Sequence, residues 1–172
     1  MKHNISLLPL LCGVFIAGCV AQAEPVAQTA QTAKVPSKAA PKIVKVVKTD
    51  AQWKAQLSPA AYDVLRHEGT EAAGSGSLLK NKQNGIYKCA GCDLELFSSK
   101  TKYESGTGWP SFYQPIRPIA VVEKTDTQFG MKRVEVECAR CEGHLGHVFD
   151  DGPKPTGLRY CMNSVALKFE KK

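Results

Sequence analysis

Between Cys138 and Asn163 the chain gathers a Cys-x-x-Cys pair (Cys138, Cys141), two histidines three residues apart (His144, His147) and a further cysteine, Cys161, flanked at i−2 and i+2 by Arg159 and Asn163. A hydrophobic core has no need of this set, since aliphatic side chains pack better. What the residues share is thiolate chemistry, either metal ligation or nucleophilic attack. Upstream, Cys89-Ala-Gly-Cys92 is a near twin of Cys138-Ala-Arg-Cys141. A tight Cys-x-x-Cys turn presents both sulfurs to one ion, and two such turns complete a tetrahedral four-thiolate zinc site. The competing reading is one or two disulfides, which an exported protein can form. The small residues in both turns favour zinc. Four thiolates leave no open coordination position, so the expected role of Zn2+ is structural.

Cys161 stands outside that set. Taken alone, it reads as a buried core thiol. On a strand, however, Arg159, Cys161 and Asn163 project from one face. A cation beside the sulfur favours thiolate, and an amide can donate a hydrogen bond to it. His144 and His147 would complete the pocket as proton donors, since a departing oxygen must be protonated. Their other reading is zinc ligation, His144 being three residues from Cys141, but four cysteines already fill that site. Trp109, in Gly-Trp-Pro-Ser, reads equally as core anchor and as substrate contact.

These residues need a scaffold, and the chain supplies one of ordinary size. It has 172 residues, 43% hydrophobic and 23% charged, with 14 Gly and 10 Pro, a loop-rich globular composition. Met1 to Gly18 reads as an export signal, with Lys2 before an apolar core from Ile5 to Ile16. Ile16-Ala-Gly-Cys19 resembles a bacterial lipobox, which would place a lipid on Cys19 and discard Cys12. Ala21-Gln-Ala23 offers ordinary cleavage instead, leaving a soluble periplasmic protein. Val20 after the lipid site points to the outer membrane by analogy with bacterial sorting rules. Residues 19–48, rich in Ala, Gln, Thr, Pro and Lys, read as a disordered tether. The tether holds much of the formal charge of +7 (Lys34, Lys38, Lys42, Lys45, Lys48). That excess therefore reads as a solvated tail, and no nucleic-acid partner is expected.

The folded domain is expected over residues 49–172. Asp50 is a candidate N-cap, with Trp53 and Leu57 on one helical face; Ser58-Pro59 starts a second helix. From Gly85 the texture changes to short strands at Ile86–Cys89, Ile119–Glu123, Met131–Glu137 and Ser164–Phe169, with a hairpin turn at Asp126 to Gly130. Gly69 to Ser77 reads as a loop without a phosphate fingerprint. The expected class is mainly β (α+β): a compact antiparallel β domain with two or three N-terminal helices.

Cys-x-x-Cys, Ser105-Gly-Thr-Gly-Trp-Pro-Ser-Phe112, Cys-x-x-Cys, Gly143-His-Leu-Gly-His-Val-Phe-Asp150 and Arg159-Tyr-Cys-Met-Asn-Ser164, in that order, resemble the peptide-methionine (R)-S-oxide reductases, the MsrB family. The similarity runs from about Asp50 to Phe169. It implies a β-rich fold with structural zinc on Cys89, Cys92, Cys138 and Cys141, and Cys161 as nucleophile. It also implies catalytic roles for His147, His144 and Asn163, and substrate contacts at Trp109, Arg159 and Phe112. The substrate would be methionine-R-sulfoxide, in oxidised proteins and as the free amino acid, and Cys161 would pass through a sulfenic acid. Many members carry a resolving cysteine where this chain has Thr107. The expectation is a monomer working with one cysteine and an external thiol reductant. Two rivals, a zinc-ribbon binding module and a thiol–disulfide oxidoreductase using the Cys-x-x-Cys pairs, have no use for Gly-Trp-Pro-Ser-Phe.

Overall fold

A computed structural model describes residues 42–172. The expected export signal, Cys12, Cys19 and the tether as far as Pro41 lie outside the described residues. From Lys42 to Lys48 the chain forms neither helix nor strand, yet it lies on the domain. The Val46 N–H donates to the Arg140 carbonyl at 2.8 Å. Lys45 pairs with Glu142 at 2.7 Å, and Ile43 and Val46 cover part of the core.

Two helices follow, α1 (Asp50–Gln56) and α2 (Pro59–His67). Thr49 caps α1, one residue earlier than expected. Its hydroxyl accepts from the Gln52 N–H while the Gln52 side chain accepts from the Thr49 N–H, a reciprocal box that Asp50 could not form with the same partner. Ser58 and Pro59 start α2 as anticipated. The helices bury Trp53, Tyr62, Val64 and Leu65. They also reach the cysteine turns: the Gln56 amide donates to the Gly91 carbonyl at 2.6 Å, and the Arg66 guanidinium to that of Cys141 at 3.0 Å.

The strands pair antiparallel in two sheets. In the smaller, β1 (Gly85–Cys89) lies between β2 (Glu95–Ser98) and β9 (Leu167–Lys171). The larger has the spatial order β3 (Lys102–Tyr103), β4 (Ser111–Phe112), β8 (Arg159–Met162), β7 (His144–Phe149), β6 (Arg133–Cys138), β5 (Val121–Asp126). The anticipated hairpin is β5–β6. β5 starts late because Pro118–Ala120 form a 3-10 turn, and β9 starts late because Ser164–Ala166 do the same. The sheets meet through aromatic rings: Phe97 stacks on Phe112 at 4.5 Å, and Tyr87 meets Phe112 edge-on at 4.9 Å. Such pairs contribute about 0.5–1.5 kcal/mol each beyond area burial.

Candidate active site

Cys161 sits in the middle of a row formed by pairing. On one side it faces Ser111 of β4, and on the other His147 of β7. Opposed residues on adjacent strands share a face. The sheet therefore delivers the imidazole and the thiol to one surface from positions far apart in the chain. That surface is the floor of an open cleft of about 130 Å3 lined by Thr70, Trp109, Arg133, Gly146, His147, Phe149, Cys161 and Asn163.

A spacing of three residues on a regular strand would put His144 and His147 on opposite faces. A β-bulge prevents this. Val136 pairs with Gly146 and Glu137 with His144, so Leu145 is the extra residue of β7. The two rings then meet on one side, 5.3 Å apart and edge to face. Gly146 is required at the bulge, because a Cβ there would lie 2.1 Å from the Cys161 carbonyl oxygen.

His147 Nε2 donates to Asp126 Oδ2 at 2.8 Å, and the same oxygen accepts from Arg133 at 2.6 Å. The Gln128 backbone N–H and the His147 contact hold the Asp126 carboxyl down at about 2, so it is ionised under all ordinary conditions. Burial lowers the His147 pKa, and Asp126 opposes that by favouring the imidazolium. With Nε2 committed to Asp126, Nδ1 is the nitrogen available to a ligand.

The rest of the cleft is wired by the loop Gly69 to Ser77, which carried no motif in the sequence. The Glu71 N–H donates to the Asn163 side-chain oxygen at 3.0 Å, and the Glu71 carbonyl accepts from the Trp109 indole at 3.0 Å. The Glu71 carboxylate takes the N–H groups of Ser164 and Val165 at 2.7 and 3.1 Å. One residue thereby fixes Trp109, Asn163 and the strand end after Cys161. The Asn163 amide also donates to the Leu145 carbonyl at 3.1 Å.

Three expected site residues lie elsewhere. Phe112, expected at the substrate, is wholly buried. It follows Ser111 on β4, so when Ser111 faces the Cys161 row its neighbour must face the aromatic core. Arg159, expected to touch substrate, is not among the residues lining the cleft: its guanidinium binds both oxygens of Asp151 at 2.8 Å and lies 4.3 Å over the Phe149 ring. It holds Phe149, which does line the cleft, and keeps the Asp151 carboxyl below the usual carboxylate range. His144 is 3% exposed, with Nδ1 bound to Glu135 at 2.7 Å, so it stands behind His147. Conversely, Asp126, Arg133 and Glu71 were not anticipated. Asp126 read only as a turn residue, and its proximity to His147 depends on how β5, β6 and β7 align.

The four remaining described cysteines converge at the junction of the sheets. Cys89 ends β1 and Cys138 ends β6, and the sulfurs of Cys89, Cys92, Cys138 and Cys141 all lie within 4.8 Å of one another. Cys89–Cys141 and Cys92–Cys138 approach to 3.6 and 3.5 Å. Zinc–sulfur bonds of ~2.3 Å in a tetrahedron place sulfurs about 3.8 Å apart, so this set fits zinc. The two turns are built alike. In each, the first cysteine's carbonyl accepts from the residue four ahead, Asp93 or Glu142, both of which adopt the left-handed conformation. A dication bound there would hold the four groups as thiolates and cross-link the sheets.

Comparison with known proteins agrees with this geometry. The SelR domain model matches residues 57–171. "Peptide methionine sulfoxide reductase MsrB" of Leptospira interrogans is 57% identical over 127 residues, covering 74% of this chain and 97% of the relative. The proteins of the same name from Thiobacillus denitrificans and Methanosarcina mazei are each 58% identical. They cover 73% and 74% of this chain and 95% and 91% of their own lengths.

Proposed function

The chain belongs to the SelR family, the peptide-methionine (R)-S-oxide reductases, and from that premise we propose how its residues carry out the reaction. The protein is an oxidoreductase that reduces the R diastereomer of methionine sulfoxide in oxidised proteins, with an external thiol as reductant. The observation that carries the residue assignment is the cross-strand row of Cys161 and His147 on the floor of a cleft walled by Trp109 and Asn163.

The Cys161 thiolate attacks the sulfoxide sulfur. The oxygen takes a proton delivered by His147 through Nδ1, with Asp126 stabilising the imidazolium from the other side. The hydroxyl then passes from the methionine sulfur to the Cys161 sulfur as the transient sulfur–sulfur bond breaks, so methionine leaves and Cys161 becomes a sulfenic acid. A first external thiol attacks that sulfur, releasing water and leaving a mixed disulfide. A second thiol releases Cys161 and carries away the disulfide. Trp109 is positioned by Glu71 to receive the substrate methyl group against its ring, a sulfur–aromatic type of contact. Zinc, held by Cys89, Cys92, Cys138 and Cys141, supplies a cross-link and no reaction step.

The protein acts as a monomer, since one chain builds the whole cleft. It faces the periplasm from the outer membrane, anchored by a lipid on Cys19. The support is the Ile16-Ala-Gly-Cys19 motif. Labelled palmitate should enter the wild type and not Cys19→Ala, and soluble release of the wild type would refute the anchor in favour of cleavage after Ala23. For the reaction, the R and S diastereomers are assayed separately with dithiothreitol. Consumption of R alone, abolished in Cys161→Ser, is expected; consumption of S alone would overturn the reading.

A further inference from the structure

Thr107 sits where a second cysteine would resolve the sulfenic acid, but it is not an inert replacement. Its hydroxyl lies 3.7 Å from the Cys161 sulfur, within hydrogen-bond reach of that large atom. On its other side it meets the Ser105 hydroxyl at 2.9 Å, which meets Ser111 at 2.7 Å, whose hydroxyl reaches the Trp109 carbonyl at 3.2 Å. Ser111 is wholly buried and is the residue paired with Cys161 across β4 and β8. The chain of hydroxyls thus starts and ends at the same point of the sheet.

A thiolate has no proton, so any hydrogen bond between Thr107 and Cys161 must be donated by Thr107. One sense of the relay allows this. If Ser111 donates to Ser105, then Ser105 donates to Thr107 and the Thr107 proton goes to sulfur. If Ser111 instead donates to the Trp109 carbonyl and Ser105 to Ser111, the Thr107 proton fills the Ser105 contact, and that sense suits only the protonated thiol, which can donate to Thr107; the 2.7 Å Ser111–Ser105 contact is shorter than the 3.2 Å one to the carbonyl. The arginine nearest in sequence, Arg159, is tied to Asp151 on both oxygens. A hydroxyl donor is therefore the sulfur's own partner on this flank.

We propose that Thr107 is a catalytic residue, the hydroxyl donor to the Cys161 thiolate, held in that role by Ser105 and Ser111. The proposal rests on Cys161 being the nucleophile, but its test requires no turnover. The zinc-loaded full chain is treated with iodoacetamide across a range of pH, and alkylation of the Cys161 peptide is followed by mass, with Cys161→Ser as the blank. Losing a hydrogen bond to a charged group reduces the thiolate fraction about 10-fold or more. The thiolate that remains is more nucleophilic, which recovers part of the rate. At pH 7, Thr107→Val should therefore alkylate about 3- to 10-fold more slowly than wild type. At high pH, where the thiol is ionised in both, Thr107→Val should react at least as fast. This crossing of the two profiles is something a loss of packing would not produce. Thr107→Ser should stay within about twofold of wild type, and Ser105→Ala should fall between Ser and Val. Coincident profiles for Thr107→Val and wild type would overturn the proposal, as would a serine variant as slow as valine. If Thr107→Val loses zinc and fold, Ser105→Ala decides, and an unchanged profile there overturns it. A wild type that shows these profiles but does not reduce the R-sulfoxide would refute the proposed function and leave the donor role standing.

Discussion

Replacing Gly146 by alanine tests how closely the bulge of β7 sets Cys161. A Cβ at that position would lie 2.1 Å from the Cys161 carbonyl oxygen and 3.0 Å from Met162 Cα. To regain the 3.4 Å of an ordinary contact, β7 and β8 must part by about 1.3 Å at the point where His147 faces Cys161. Overpacking of this kind costs roughly 1–3 kcal/mol, less than the whole stability of a domain, and the cysteine cluster is built by other strand ends. Gly146→Ala should therefore fold and retain one zinc. Displacement of reacting groups by about 1 Å lowers rates on the order of 100-fold. The assay is kcat/KM for methionine-R-sulfoxide with dithiothreitol, alongside metal content and a thermal melt. A fall of about 100-fold with zinc retained is expected. A variant within twofold of wild type at unchanged stability would refute the reasoning, because β8 would then not be set by close approach at Gly146.

Asp126→Asn removes the carboxylate that favours the His147 imidazolium, so kcat should fall, and fall further at pH 8 than at pH 6; equal loss at both would contradict the role given to Asp126. The same variant tests acid stability. With the folded-state value at about 2, below the ordinary 3.8, Asp126 stabilises the fold above pH 3.8 and loses that contribution as pH drops toward 2, so part of the acid-unfolding slope there should vanish in urea titrations of Asp126→Asn. Cys92→Ser should lose zinc and unfold, since a structural four-thiolate site can contribute ~10 kcal/mol or more of folding free energy, comparable with the stability of a whole domain; circular dichroism and metal analysis check this. Thr107→Cys should convert the one-cysteine cycle, because a sulfur at that position needs only a small shift to bond Cys161. One turnover of R-sulfoxide without reductant should then leave two fewer free thiols and a Cys161 disulfide by mass, where wild type leaves sulfenic acid.

Most of the scaffold and the four-cysteine cluster could be read before any coordinates. Within the folded domain the four zinc ligands and Cys161 separate by spacing, because two like Cys-x-x-Cys turns pair with each other and leave one of its five cysteines over. The Asp126 to Gly130 turn was legible from local residue types. What could not be read depends on register. Alternation on β4 decides that Phe112 enters the core while Ser111 faces Cys161, yet a two-residue strand gives no periodicity to detect. The bulge that brings His144 and His147 together is a property of the β6–β7 pairing. Thr49 capping α1 was hidden by an equally plausible Asp50. Asp126, Arg133 and Glu71 reach the site across strands or from a loop, so no local pattern marks them.

The central claim is that Cys161 alone takes the oxygen from the R-sulfoxide. It is tested most directly by mixing zinc-loaded protein with excess methionine-R-sulfoxide in the absence of any thiol, then measuring methionine released and the mass of the Cys161 peptide. The account predicts one methionine per chain and one oxygen on Cys161, trapped by a sulfenic-acid reagent, with neither seen in Cys161→Ser. Release of methionine with Cys161 unmodified, or an oxidation product on Cys89, Cys92, Cys138 or Cys141 in its place, would contradict it.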